Sequence, residues 1–271
     1  MISIIIPTLN EEHWLPNILK DIENQTMGDY EIIVADAYSS DATRKIALSY
    51  GCKVVNGGLP AKGRNEGAKV AKGDVLVFFD SDVRIKPDFL KNAYNEFQNR
   101  YLEIATCEYT PDTNEDDITV LYTLYNEYAR TMQYVLPYCM GVFIIMTKRL
   151  FYRLEGFNES IKIGEDWDIA HRAAKIAKFR ILDSVNVVIS TRRIEKEGKF
   201  NYVTKVIKSN LHQLFRGNIT KEGFIDYSFG HYEECSKKKK ELHTKIHKLR
   251  TKLVKLKHRL KKQKNQTKRK P

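Results

Sequence analysis

Apolar residues along this chain fall into two kinds of pattern, and they alternate. Ile2 to Ile6 is a β-branched run ended by Pro7, which predicts a buried strand. Trp14, Leu15, Ile18, Leu19 and Ile22 then recur at helical spacing. Glu31 to Ala35 predicts a second strand ending at Asp36, Ser39-Ser40-Asp41 caps a helix over Ala42–Tyr50, and Cys52–Val55 predicts a third strand. Gly57 to Pro60 is a turn, Ala61–Lys72 a helix bearing Lys62, Arg64 and Lys69, and Gly73 its stop. Val75 to Phe79 is an unbroken apolar run, read as a strand buried on both faces, and it leads directly into Asp80-Ser81-Asp82. A helix follows from Pro87, with Phe89, Leu90, Ala93, Tyr94 and Phe97 on its apolar face. Strand and helix alternating with short connections predicts an α/β fold, a mostly parallel Rossmann-like sheet flanked by helices.

The second half of the pattern is less regular. Glu103–Tyr109 predicts a strand, Thr110–Asp117 an acidic turn, and Ile118–Val135 a helix with a tyrosine stripe at Tyr122, Tyr125, Tyr128 and Tyr134. Such a stripe fits half-buried packing or a platform for a sugar or lipid acceptor. Tyr138–Thr147 contains Gly141 and then an apolar strand. Glu165 and Asp166 open a helix that runs through Ile169, Ala173, Ile176 and Ala177, and Asp168 is spaced to pair with Arg172. Two short strands, Arg180–Leu182 and Val185–Ile189, lead to Arg192-Arg193, and Tyr202–Phe215 is amphipathic.

In an open α/β sheet, ligands bind beyond the carboxyl ends of the parallel strands. Thr8, Asp36, Asp80 and Asp82 all stand at such ends. Each has a plainer reading: Thr8 or Asn10 as a helix cap, the acids as turn formers or as partners of a helix dipole. Two carboxylates one residue apart also suit a hard divalent cation shared with phosphate oxygens. Arg192 and Arg193, just past a strand, either clamp a diphosphate or form a solvated turn. No Gly-x-Gly-x-x-Gly follows the first strand and no Gly-x-x-x-x-Gly-Lys-Ser/Thr occurs, which disfavours a dinucleotide domain and a P-loop enzyme.

Composition separates a body from a tail. From Cys235 onward there are 17 Lys and Arg against one acid, Glu241, whereas the first 234 residues hold 29 basic and 33 acidic residues. The net charge of +12 therefore comes from the tail. Leu242, Ile246, Leu249, Leu253, Leu256 and Leu260 form an apolar seam at heptad spacing there. A basic amphipathic helix on an anionic membrane surface accommodates both features; a solvated basic extension, self-association through the seam and, least favoured, nucleic-acid binding are the alternatives. No apolar stretch reaches the roughly 18–20 residues of a membrane span. The N-terminus lacks the features of a signal peptide, and Cys52, Cys107, Cys139 and Cys235 are too scattered for a disulfide framework or zinc site. The expectation is a cytoplasmic protein, peripheral at the cytoplasmic membrane face if the tail binds there.

Taken in order, six segments resemble motifs of family 2 glycosyltransferases over roughly Ile2–Gly198. They are Ile4-Ile5-Ile6-Pro7-Thr8-Leu9-Asn10-Glu11, Val34 to Thr43, Gly63-Arg64-Asn65-Glu66-Gly67, Asp80-Ser81-Asp82, Gly156-Phe157-Asn158-Glu159 and Glu165-Asp166-Trp167-Asp168. The resemblance implies a GT-A fold and an inverting transfer from a nucleotide-diphosphate sugar, UDP-linked by preference, to an acceptor hydroxyl on a glycan, lipid-linked or protein substrate. It implies that Pro7, Thr8, Asn10 and Glu11 line the nucleotide cleft, Asp36 accepts from the base, Arg64 approaches base or phosphates, and Asp80 lies by the ribose. Asp82 would coordinate Mg²⁺ or Mn²⁺, and Asp166, assisted by Glu165, would be the general base. Ala37 and Tyr38 depart from the family's Asp-Gly, and no histidine occupies the turn after Ile189, so Arg192 and Arg193 would face the diphosphate instead. The implied organisation is a nucleotide-sugar half (1–102), an acceptor and catalytic half (103–200), a helix and linker (201–234) and the basic tail (235–271), helical or partly disordered. The alternative activities are a sugar-1-phosphate nucleotidyltransferase and a nucleic-acid-binding protein acting through the tail.

Overall fold

The structure, a computed structural model, describes residues 1–137, 139–216 and 218–220. These lie within one compact unit, Met1–Gly230. The basic tail, its leucine seam and Tyr138 lie outside the described residues.

Among the described residues, eight strands form one sheet. In chain order they are β1 (Ile2–Thr8), β2 (Tyr30–Asp36), β3 (Lys53–Asn56), β4 (Val75–Phe79), β5 (Val83–Arg84), β6 (Ile104–Pro111), β7 (Phe143–Thr147) and β8 (Phe179–Ile189). The spatial order is β3-β2-β1-β4-β7-β6-β8-β5. β3, β2, β1 and β4 run parallel, so Thr8, Asp36 and Asp80 come out at one edge, with Thr8 directly opposite Asp36. β7 pairs antiparallel with both β4 and β6, and β8 pairs parallel with β6, so the sheet is mixed and mostly parallel. β6 and β8 change register between Cys107 and Glu108.

Helices cover both faces: α1 (Leu15–Glu23), α2 (Thr43–Ser49), α3 (Pro60–Val70), α4 (Phe89–Asn99), α5 (Asp116–Met132), α6 (Lys148–Arg153), α7 (Glu165–Ala174), α8 (Arg192–Glu197) and α9 (Lys199–Arg216). Strand alternation divides the central runs between two cores. Ile4, Ile6, Val75, Val77 and Phe79 face α1 and α4, while Ile5, Leu76 and Phe78 face α3, α6 and α7. Each of these strand residues is fully buried, so the unbroken apolar run of β4 satisfies both faces at once.

α3 lies unusually close to the sheet. A Cβ on Gly67 would stand 2.4 Å from Ile5 Cγ2, and one on Gly63 would stand 2.9 Å from Pro7 Cβ. Glycines one helical turn apart therefore let α3 settle onto β1, and this carries Arg64 beneath the strand ends. The tyrosine stripe of α5 splits: Tyr122 is buried and Tyr125 packs against both cores, whereas Tyr128 and Tyr134 are exposed. Among the described residues no helix is long and apolar enough to cross a membrane.

Candidate active site

Two arginines, Arg64 buried and Arg192 half-buried, organise the ligand edge, and each holds a pair of carboxylates. Arg64, 2% exposed, donates from Nη1 to Glu165 Oε1 at 2.6 Å and from Nη2 to Asp80 Oδ1 at 2.9 Å. Nη2 also donates to the Gly141 carbonyl at 3.0 Å, and the guanidinium lies 5.4 Å from the Phe157 ring centroid. Burying one cation is costly; two counter-charges with hydrogen-bond geometry make it tolerable. Arg64 thus links α3, the end of β4 and the start of α7. It is buried, with its guanidinium on Glu165, Asp80 and the Gly141 carbonyl.

Arg192, the first residue of α8, forms the second group. Its Nη1 and Nη2 donate to both oxygens of Glu11 at 2.8 and 2.9 Å. Its Nε lies 2.8 Å from Asp82 Oδ2, and its guanidinium stacks 5.0 Å from the Trp14 ring centroid. β8 brings it there, because Ile189 pairs with Val83 of β5 and Ser190 N–H donates to the Asp82 carbonyl. Glu11 is therefore tied to Arg192, buried, with its carboxyl raised by burial against the pull of Arg192.

Asp166 adjoins the Arg64 group through Gly141. Its Oδ2 accepts from Gly141 N–H and its Oδ1 from Trp167 N–H. Gly164, at φ 88°, turns the chain into α7 just before it, and Trp167 stacks on His171 with ring centroids 5.0 Å apart. Burial pushes the Asp166 carboxyl up, and neighbouring Glu165 adds to that while Arg64 opposes it. Asp80 is likewise pushed up, to about 6, by loss of water, opposed by Arg64 and reinforced by Asp82. Glu165 is buried and paired with Arg64.

On the other flank the first two strand–helix loops are stapled together. Asp36, 1% exposed, accepts from Thr8 Oγ1 at 3.4 Å and from Ser39 N–H at 3.2 Å. Asn10, in a left-handed conformation at φ 55°, donates its N–H to Ser39 Oγ and accepts from Ser40 N–H. Glu11 N–H donates to Thr43 Oγ1. Pro7, Thr8, Asn10 and Asp36 are thus brought to one place, and Asp36 reads as a sealed acceptor against which a base would have to compete with Thr8.

Two contributors, Trp14 and Gly141, carry no motif signal, and Asn65 lies within the Gly63–Gly67 motif, which implies no role for it. Asn65 donates to the Phe157 carbonyl at 2.8 Å and accepts from Phe157 N–H at 2.9 Å, so the Gly-Phe-Asn-Glu segment docks on α3 like a strand partner. The Asp168–Arg172 pair forms as spaced, at 2.7 Å.

Residues 3–155, more than half of the chain, match the family described as "Glycosyl transferase family 2". The chain belongs to this family. It is 23% identical over 256 residues to a hyaluronan synthase of Pasteurella multocida, covering 90% of this chain and 26% of that protein. The chain thus spans about a quarter of the length of that curated relative. Among solved structures, S. aureus TarS 1–349 in complex with UDP-GlcNAc is 21% identical at a TM-score of 0.59, covering 86% of this chain and 70% of that one. Glucosyl-3-phosphoglycerate synthase from Mycobacterium tuberculosis, in complex with Mn²⁺, UDP-glucose and phosphoglyceric acid, is 19% identical at 0.58, covering 82% of each chain. At these identities the likeness shows the fold, which is GT-A.

Proposed function

We propose that this chain moves a sugar from a nucleotide-diphosphate donor, UDP-linked, to an acceptor hydroxyl, in a single displacement with inversion. The observation that carries the reading is Asp166. It is a half-buried carboxylate with a raised pKa, oriented by two backbone N–H groups, beside an arginine-held Asp80 at the ends of the parallel strands. A carboxylate in that setting can take the proton of an attacking hydroxyl, an effect worth about 10²–10⁴-fold. By donating to the Gly141 carbonyl, Arg64 fixes the residue whose N–H orients the Asp166 carboxylate. Thr8, Asn10 and Asp36 form the wall suited to the nucleoside, and the solved relatives that hold UDP-GlcNAc or UDP-glucose favour uracil. The hyaluronan synthase relative favours a growing glycan as the acceptor.

A divalent cation fits this site. Among the described residues no three acid, histidine or cysteine side chains cluster as a complete metal site. Mg²⁺-type ions, however, are often held by one or two carboxylates with substrate phosphates supplying the rest. Five carboxylates (Glu11, Asp80, Asp82, Glu165, Asp166) face three guanidiniums (Arg64, Arg192, Arg193) here, an excess of negative charge that an anionic diphosphate would only increase. Asp82, with Asp80 behind it, would hold the cation, which when bound neutralises charge developing on the leaving diphosphate.

The test is a thermal-shift series with UDP, GDP and their sugars, each with and without Mn²⁺. Ligand binding to the folded state raises the midpoint by mass action. UDP with Mn²⁺ is expected to give the largest shift; no shift with any nucleotide would refute the proposal.

A further inference from the structure

Arg192 lies where a cation on Asp82 would also lie, and the reason it lies there is built into three separate segments. Glu11 comes from the loop after β1, Trp14 from the entry to α1, and Asp82 from the turn after β4. Glu11 takes the guanidinium with both oxygens, Trp14 covers it at 5.0 Å, and Asp82 Oδ2 takes Nε at 2.8 Å. All three guanidinium nitrogens are engaged, and Arg192 is only 15% exposed. The backbone cannot carry the residue away easily, since Ser190 N–H is bonded to the Asp82 carbonyl and Val83 pairs with Ile189. Only the side chain has freedom to change partner.

We infer that Arg192 holds Asp82 against a divalent cation until a diphosphate takes the guanidinium, so that cation and donor load together, with Glu11 and Trp14 as the positioning residues of Arg192. This rests on the glycosyltransferase reading of the same edge. Two physical points support it. A guanidinium exchanges a carboxylate for a phosphate readily, because both match its planar fork and the phosphate carries more charge. And once Asp82 turns to a cation, Arg192 would be repelled unless it kept a counter-charge of its own. Glu11, bidentate and buried, supplies that counter-charge, and Trp14 adds a cation–π contact worth most where water is scarce. Glu11 therefore serves the diphosphate through Arg192 and does not contact the nucleotide.

The experiment is a Mn²⁺ titration read by the loss of the free-ion EPR signal, without turnover, in the absence and presence of saturating UDP. In the wild type, UDP should tighten Mn²⁺ strongly. Arg192→Ala should tighten Mn²⁺ binding by about tenfold in the absence of UDP, the effect of removing one like charge a few ångström away, and should shrink the further gain on adding UDP. Arg193→Ala removes the same charge one residue on, and its effect should be clearly smaller. Glu11→Gln, which keeps the shape but frees Arg192 to bind Asp82 harder, should weaken Mn²⁺ both with and without UDP. Equal tightening by Arg192→Ala and Arg193→Ala would overturn the inference in favour of bulk charge. An unchanged Mn²⁺ affinity in Arg192→Ala, with UDP and Mn²⁺ still bound by the wild type, would overturn it while leaving the transferase reading intact. Failure of the wild type to bind either ligand would overturn both.

Discussion

Replacing Arg64 by alanine should produce a stability defect whose size depends on pH. In the native protein its guanidinium neutralises Glu165 at 2.6 Å and Asp80 at 2.9 Å while itself 2% exposed. Its removal strands two carboxylates in a site that already raises Asp80 to about 6. Breaking a buried pair by deleting one partner typically costs about 3–5 kcal/mol, because the remaining charge keeps its desolvation penalty. For a unit of this size each kcal/mol is worth about 2–4 °C in Tm, so the expected drop near pH 8 is on the order of 10 °C. The sign with pH follows from linkage. In the variant the folded-state pKa of Asp80, already raised, lies further above its unfolded value because the opposing guanidinium is gone. The penalty is then largest where Asp80 would be ionised and is relieved as pH falls through its raised folded value. Differential scanning calorimetry of wild type and Arg64→Ala between pH 5 and 8 measures this directly. A deficit of the same size at both ends, or one below 2 °C at pH 8, would refute the assignment of Arg64 as counter-charge to the site.

Three further outcomes follow from the same geometry. Asn65→Ala leaves the Phe157 N–H and carbonyl buried without their partner, and should cost about 2–4 kcal/mol in urea unfolding; a cost under about 0.5 kcal/mol would mean the segment docks by other means. The transfer rate should rise with pH and level off above the raised pKa of Asp166, about 7, since the carboxyl must be ionised to accept a proton. A rate that is flat or falling from pH 5.5 to 8 would count against Asp166 as the base. Gly67→Ala, whose Cβ would meet Ile5 Cγ2 at 2.4 Å, should destabilise by about 1–3 kcal/mol and be partly rescued by Ile5→Ala, with chemical denaturation as the readout.

Much of the parallel half was legible because its strands are short unbroken apolar runs and its helices keep a clean apolar stripe. Ile2–Ile6 and Val75–Phe79 fall within β1 and β4 as expected. The second half was harder for a physical reason. β8 is one strand of eleven residues, where the polar pair Asp183-Ser184 suggests a break; the register shift opposite Cys107 and Glu108 absorbs that pair at the surface. The antiparallel insertion of β7 between β4 and β6 depends on pairing across more than sixty residues and leaves no local trace. The arginines after β8 open the short helix α8, although their setting also suits a turn.

The site divides along the same line. Motif spacing placed Thr8, Asn10, Asp36, Asp80, Asp82 and Asp166 near one edge, because parallel strand ends and helix starts are local features. What each residue touches was not local. Arg64 meets Glu165 across 101 residues, and Arg192 meets Glu11 across 181. Topology alone decides those contacts, which pair Arg64 with Glu165 and Asp80 and Glu11 with Arg192. Trp14 and Gly141 carry no pattern that would single them out; only the fold shows that one covers Arg192 and the other bridges Arg64 and Asp166.

Asp166→Asn decides whether Asp166 removes the acceptor proton. The amide preserves the shape and one acceptor oxygen, so UDP binding with Mn²⁺ should stay within about threefold of wild type, while sugar transfer falls by about 10²–10⁴-fold. Transfer at the wild-type rate by a variant that still binds UDP would contradict that role.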